Sequence, residues 1–187
     1  MAPLACAIAN VIAAFVLVFV LAPATPLAAD PAERERYVRE HLVLWRAGWA
    51  AWMLAAVTLL WCYRWWRRRV NGPRSAILVA AAGITADLTA EATLIVAGAD
   101  AYAAVAPLAF FLTGAVANGL YTVAGIQLTL ATRLGPRERA YAAFMWSAGL
   151  MLSLGAILAQ PLVTAIASAL LFALFCPWCV WLWRRLR

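Results

Sequence analysis

Six apolar runs, each close to the ~20 residues that a helix needs to cross the hydrocarbon of a bilayer, account for most of this chain. Inside lipid no water can satisfy a free backbone N–H or C=O, so such runs form helices whose hydrogen bonds close within the segment. The runs place spans at residues 4–27, 42–63, 75–98, 106–130, 141–159 and 162–183, joined by short connections punctuated by Pro, Gly and charge. The expectation is an all-α polytopic transmembrane helical bundle, one integral membrane domain over residues 1–187. Composition agrees: 67% hydrophobic, 12% charged and a mean hydropathy of +0.86, against roughly 45–50% apolar and about 25% charged in soluble domains. A soluble fold is excluded, and any chemistry must sit within or beside the bilayer.

The polar residues narrow the function classes. All fifteen basic residues are Arg, and His41 is the single His. Without Lys there can be no retinal or pyridoxal Schiff base. One His cannot supply a bis-His haem or a multi-His zinc site. Neither a cofactor nor a metal site is therefore expected. The net charge of +7 does not point to nucleic acid, because the Arg residues flank apolar runs in short groups, where membrane orientation explains them.

Cytoplasmic loops retain positive charge during insertion and translocated loops are depleted of it. Arg64, Arg67, Arg68, Arg69 and Arg74 crowd the second connection, Arg133, Arg137 and Arg139 the fourth, and Arg184, Arg185 and Arg187 the C-terminus. Acids balance the Arg residues of the first connection, and the third carries only Asp100. This alternation predicts both termini in the cytoplasm. Trp61, Trp65 and Trp66, with Trp178, Trp181 and Trp183, are expected to anchor the same side at the interface. Exclusive use of Arg suggests a GC-rich bacterial genome, hence a bacterial inner membrane. An alternative reads the first run as a cleaved signal peptide ending at Ala28 and Ala29, leaving five spans; the absence of Lys or Arg before Leu4 argues against it.

Asp87 and Glu91 lie inside the third run at a spacing that puts both on one helix face. A buried ionisable group costs about 2.5–3.5 kcal/mol on insertion, so a helix seeking adhesion alone has cheaper choices. Two carboxylates so close in low dielectric cannot both ionise without a cation nearby. Arg46 in the second span lies at the depth of Glu91, so an Arg46–Glu91 ion pair is expected, with Asp87 deeper and protonated. Gly83, a turn before Asp87, lets a neighbouring helix approach. Thr85, Thr89 and Thr93 form an opposite polar ridge, which would place this helix at the bundle centre. In the fourth span Asn118 and Tyr121 share a face with Gly114 and Gly125, and Pro107 suits a first helical turn. The expected pocket is lined by Asp87, Glu91, Arg46, Asn118 and Tyr121.

Uncharged groups such as Thr113, and even Asn118, can serve simply as interhelical glue, each bond worth about 0.6 kcal/mol on average. His41 reads as a structural or solvated interface residue, and Trp45, Trp49 and Trp52 as packing or lipid contact rather than a cation cage. Cys176-Pro177-Trp178-Cys179 is a C-x-x-C, a possible redox pair. Its position on the reducing cytoplasmic side speaks against that use, as does the isolation of Cys6 and Cys62 in the sequence.

No catalytic motif is recognisable. Three function classes remain: a bundle that binds or conducts a small solute or protons through the acidic pocket, an accessory or assembly subunit of a larger membrane complex, and an intramembrane enzyme acting on a lipid or isoprenoid. Expected partners are the lipid bilayer and a homodimeric copy or other membrane subunits, with a small-molecule ligand whose identity the residues do not give.

Overall fold

The computed structural model describes residues 1–28 and 30–187. It is all-helical among the described residues, and six helices are long and apolar enough to span a membrane: α1 (Ala2–Ala24), α3 (Leu42–Val70), α4 (Arg74–Ala97), α5 (Tyr102–Leu130), α6 (Pro136–Ile157) and α7 (Pro161–Arg185). A short polar helix, α2 (Pro31–Glu40), occupies the first connection. The chain is a multi-pass membrane protein. Of the residues in the signal-peptide alternative, Ala29 lies outside the described set.

Local chemistry sets the helix limits. Pro31, Pro136 and Pro161 each begin a helix, where the missing N–H is no loss. The Asp30 carboxylate accepts from the Ala32 N–H at 2.8 Å, and Glu138 reaches back to the Gly135 N–H at 2.6 Å. Asn71 ends α3 in the left-handed region at φ 51°, a conformation that Asn tolerates better than most residues. Helix α3 runs beyond the expected residue 63 to Val70, so Arg64 and Arg67 to Arg69 are part of the helix. Pro107 is not in the first turn as expected: α5 begins at Tyr102, and Pro107 lies within the helix. The same helix widens into a π-helical turn at Leu112–Ala117, where the Asn118 side-chain amide donates to the Thr113 carbonyl at 2.6 Å.

Each span packs on its neighbours in sequence, and α1 packs on α7, so the six close into a ring in the order α1, α3, α4, α5, α6, α7. Alternating direction gathers residues 71–73, 131–135 and both termini at one end, the Arg-rich end, and residues 25–28, 30–41, 98–101 and 158–160 at the other, the acid-bearing end. Arg69 Nη1 ties α3 to α7 by donating to the Leu186 carbonyl at 2.9 Å. At the opposite end Tyr37 donates to the Val20 carbonyl at 2.8 Å, Tyr102 donates to the Ala24 carbonyl, and Arg39 lies 3.5 Å from Asp100.

Two sequence expectations about placement fail here. Helix α4 is not at the centre of the bundle: it is one stave of the ring, with Thr85, Thr89 and Thr93 exposed on its outer face. Their hydroxyls donate to the carbonyls of Ala81, Thr85 and Thr89 one turn back, at 3.0, 2.7 and 2.7 Å, so they need no neighbouring helix. Trp66 and Trp178 are not interface anchors, because both are buried and meet edge to face at 6.1 Å. With Tyr63, Met145, Trp146, Phe175 and Leu182 they fill the ring at its Arg-rich half. Trp61 is exposed, and Trp65, Trp181 and Trp183 are partly so, as an interface position requires.

Without a hydrophobic drive between helices in lipid, such a ring holds by close contact. The Trp146 ring of α6 lies directly against Gly125 of α5, where a Cβ would overlap it. A Cβ at Gly119 on the same helix would meet Ser153 Oγ at 3.4 Å, an ordinary contact. Gly125→Ala is therefore expected to destabilise the bundle by about 1–3 kcal/mol through overpacking, whereas Gly119→Ala should be neutral or stabilising. Thermal unfolding of both variants in detergent checks the contrast.

Candidate functional site

The ring is filled at its Arg-rich half and hollow above it. A cavity of about 780 Å³ lies inside, and all six spans contribute to its wall. Asn10 comes from α1, Trp49, Trp52 and Tyr63 from α3, and Asp87 from α4. Thr113, Asn118 and Tyr121 come from α5, Trp146 from α6, and Thr164, Ser168 and Phe172 from α7. The space extends to the acid-bearing end, where Pro31 and Arg34 of α2, Tyr102 of α5 and Gln160 before α7 also border it. Its wall is therefore mainly aromatic and aliphatic, with a few polar groups.

Asp87 is the one acidic residue of that wall among the described residues. It is buried, and its Oδ2 accepts a hydrogen bond from the Tyr121 hydroxyl at 2.8 Å. Tyr63 in turn donates to the Tyr121 backbone carbonyl at 3.0 Å, which pins the α5 backbone beside α3. The Tyr121 ring reaches Asp87 by lying across Gly83: a Cβ there would come within 2.8 Å of Cε1. The small residue one turn before the acid thus makes the approach that its position suggests. Asp87 Oδ1 has no hydrogen-bond partner among the described residues. One carboxyl oxygen is oriented by the phenol, and the other is buried without a partner.

Of the five expected pocket residues, Asp87, Asn118 and Tyr121 line the cavity together, whereas Glu91 and Arg46 do not. The expected Arg46–Glu91 ion pair does not form. Arg46 is exposed, and its Nε donates to the Ile95 carbonyl at 3.0 Å. That carbonyl is one of the four at the end of α4 that lack intrahelical donors, and a long Arg side chain runs toward the interface to reach it. Glu91 is fully buried, and neither of its oxygens has a hydrogen-bond partner among the described residues. The indole N–H groups of Trp45 and Trp49 are likewise buried without partners. Those two Trp rings pack at 5.4 Å from each other, and Trp45 lies 5.9 Å from Tyr102; Trp45 serves packing alone, whereas Trp49 and Trp52 also line the cavity. His41 stacks on Tyr37 at 4.5 Å on the exposed side.

The C-x-x-C reading also changes. Cys176 and Cys179 form no disulfide; Cys179 is fully buried, and Cys176 is only partly so. Cys6 and Cys62, isolated in the sequence, are not isolated in space, since their sulfurs converge with that of Cys179.

Several wall residues escaped the sequence reading, mainly those of α1 and α7. Thr164, Ser168, Phe172 and Phe175 recur at helical spacing along α7, a stripe that was visible in the sequence but carries no charge to single it out. Asn10 was a lone amide in an apolar run.

Comparisons with known protein families, with curated proteins and with solved structures find no match for this chain.

If the Tyr121 phenol is what orients Asp87, Tyr121→Phe should cost about 1–3 kcal/mol by leaving the buried carboxyl without its donor. The loss should shrink markedly when the same substitution is made in an Asp87→Leu background. Unfolding of the two single variants and the double variant checks this as a double-mutant cycle.

Proposed function

We propose that this protein binds a small, mainly apolar solute inside its ring of helices and that Asp87 receives the solute's cationic or hydrogen-bond-donating group. One observation carries the reading: six spans line a cavity of about 780 Å³ in which one carboxyl group among the described residues, held by Tyr121 on one side, has no partner on its other oxygen. Sites for small molecules have volumes of about 300–1,000 Å³, mostly apolar walls and a few placed polar groups. Trp49, Trp52, Phe110 and Phe172 supply aromatic walls, and Asn10, Thr113, Asn118, Thr164 and Ser168 supply polar edges. Such walls suit an organic cation, which gains from both aromatic faces and a carboxylate.

The packed Arg-rich half favours binding from the acid-bearing end over an open channel. Asp87 then serves as the proton-exchanging group, the role that intramembrane carboxylates take in transporters. The positive-inside rule places the Arg-rich end in the cytoplasm, with both termini there, and the reading assigns the chain to a bacterial inner membrane. α1 is retained in this account because it closes the ring between α3 and α7. Since all six spans of one chain contribute to the wall, the reading does not require a second copy.

The test is a thermal-shift and tryptophan-fluorescence titration in detergent with 2-phenylethylamine, using 3-phenylpropanoate as the control of like size and opposite charge. The amine should stabilise the parent chain and quench its fluorescence, and the carboxylate should do neither. Asp87→Asn, whose amide oxygen can still accept from Tyr121, should stay folded with stability within about 1 kcal/mol of the parent and lose about tenfold or more in amine affinity. Equal response to both probes, or an Asp87→Asn variant that binds the amine as the parent does, would rule the proposal out.

A further inference from the structure

Cys6, Cys62 and Cys179 belong to α1, α3 and α7, and α1 lies between the other two in the ring. Their three Sγ atoms all lie within 4.8 Å of one another, and each residue is 0% exposed. On every one of these helices the cysteine lies one turn beyond a cavity-lining residue: Asn10 above Cys6, Leu59 above Cys62 and Phe175 above Cys179. The group therefore sits just below the cavity, toward the Arg-rich end. Asn10 joins the two, lining the cavity while its Nδ2 donates to the Cys6 carbonyl at 2.9 Å and contacts Cys6 Sγ at 3.4 Å.

We propose that these three thiols form a trigonal site for one soft monovalent metal ion, Cu(I), beneath the cavity. Packing at this seam asks only for small side chains, and Ala serves that purpose throughout the bundle; three sulfurs brought to one point from three helices make a donor set. Metal–sulfur bonds of about 2.3 Å in a plane put the sulfurs about 4.0 Å apart, a spacing that small side-chain rotations reach from the observed one.

Thiolate sulfur selects soft ions such as Cu(I) or Zn²⁺. Structural zinc is held by four ligands, and among the described residues no fourth Cys, His, Asp or Glu joins the group. Burial also shuts the site to bulk water. Cu(I), with a filled d shell, accepts three sulfurs and needs no fourth ligand. The sulfurs bind as thiolates, so loading all three with one Cu(I) releases three thiol protons to solvent and binding should tighten as pH rises. The Asn10 amide beside Cys6 Sγ favours its deprotonation, since a donor stabilises the charged sulfur.

The experiment titrates reduced, detergent-solubilised protein under anaerobic conditions with Cu(I), supplied as its acetonitrile complex, against bathocuproine disulfonate as competitor. One copper per chain is expected, with a near-ultraviolet thiolate-to-copper band and an X-ray absorption shell of sulfur alone. Cys176→Ser should keep the full affinity, and Cys179→Ser should lose about tenfold or more. Asp87→Asn should bind copper as the parent does, so the outcome is separate from that of the solute proposal. A nitrogen- or oxygen-dominated shell in the parent would overturn the assignment, and that readout does not depend on any variant folding. So would affinity unchanged in both Cys62→Ser and Cys179→Ser.

Discussion

Closure of α7 against α1 is the constraint on which the remaining structure depends. Short connections make each span the antiparallel neighbour of the next, and that alone would give an open row of helices with two unpaired faces. Once the first span meets the last, the row becomes a ring with an inside. An inside must be filled or left hollow. This chain fills the Arg-rich half with large aromatic side chains and leaves the other half open, and its single wall-lining carboxyl sits at the boundary between the two.

That boundary explains why a costly residue is kept. A carboxyl facing lipid would have no partner, and one within the packed half would need full satisfaction from protein groups. At the edge of the cavity Asp87 has a phenol on one oxygen and no partner on the other. Gly83 and Tyr121 are parts of the same device, since the ring of the tyrosine can cross to the acid only where the facing helix has no side chain. Asn118 acts differently: it supports the widened turn of α5 by bonding to the Thr113 carbonyl, shaping the wall without reaching Asp87 among the described hydrogen bonds.

The six spans were legible because hydrophobic length is a one-dimensional property, and five of the six helices begin and end within about five residues of the apolar runs; α3 exceeds its run because the helix continues through Arg64 and Arg67 to Arg69. The meeting of Asp87, Asn118 and Tyr121 was legible too, because α4 and α5 are joined by a short connection and depth along each helix follows from residue count. Depth was not enough for Arg46 and Glu91. They lie at like heights, but the rotation of each helix and the reach of a flexible side chain decided the pairing, and the free Ile95 carbonyl took the guanidinium. The threonine ridge misled for a related reason, since its hydroxyls are satisfied within their own helix. The cysteine group was beyond the sequence altogether. Its members come from near the start, the first third and the end of the chain, and they meet only through the closure of the ring.

The central claim is a hollow interior that water-soluble molecules reach from the acid-bearing end. Ser168 lines that interior, and Leu170, two residues along the same helix and at nearly the same depth, is 41% exposed on the outer face of the bundle. The direct measurement introduces cysteine at each position and compares its reaction with a small, water-soluble methanethiosulfonate reagent in membranes, with the parent chain as baseline. The account predicts that Ser168→Cys reacts rapidly and Leu170→Cys, facing hydrocarbon, does not. Equal inertness at both positions would mean that the interior is closed to water, and would contradict it.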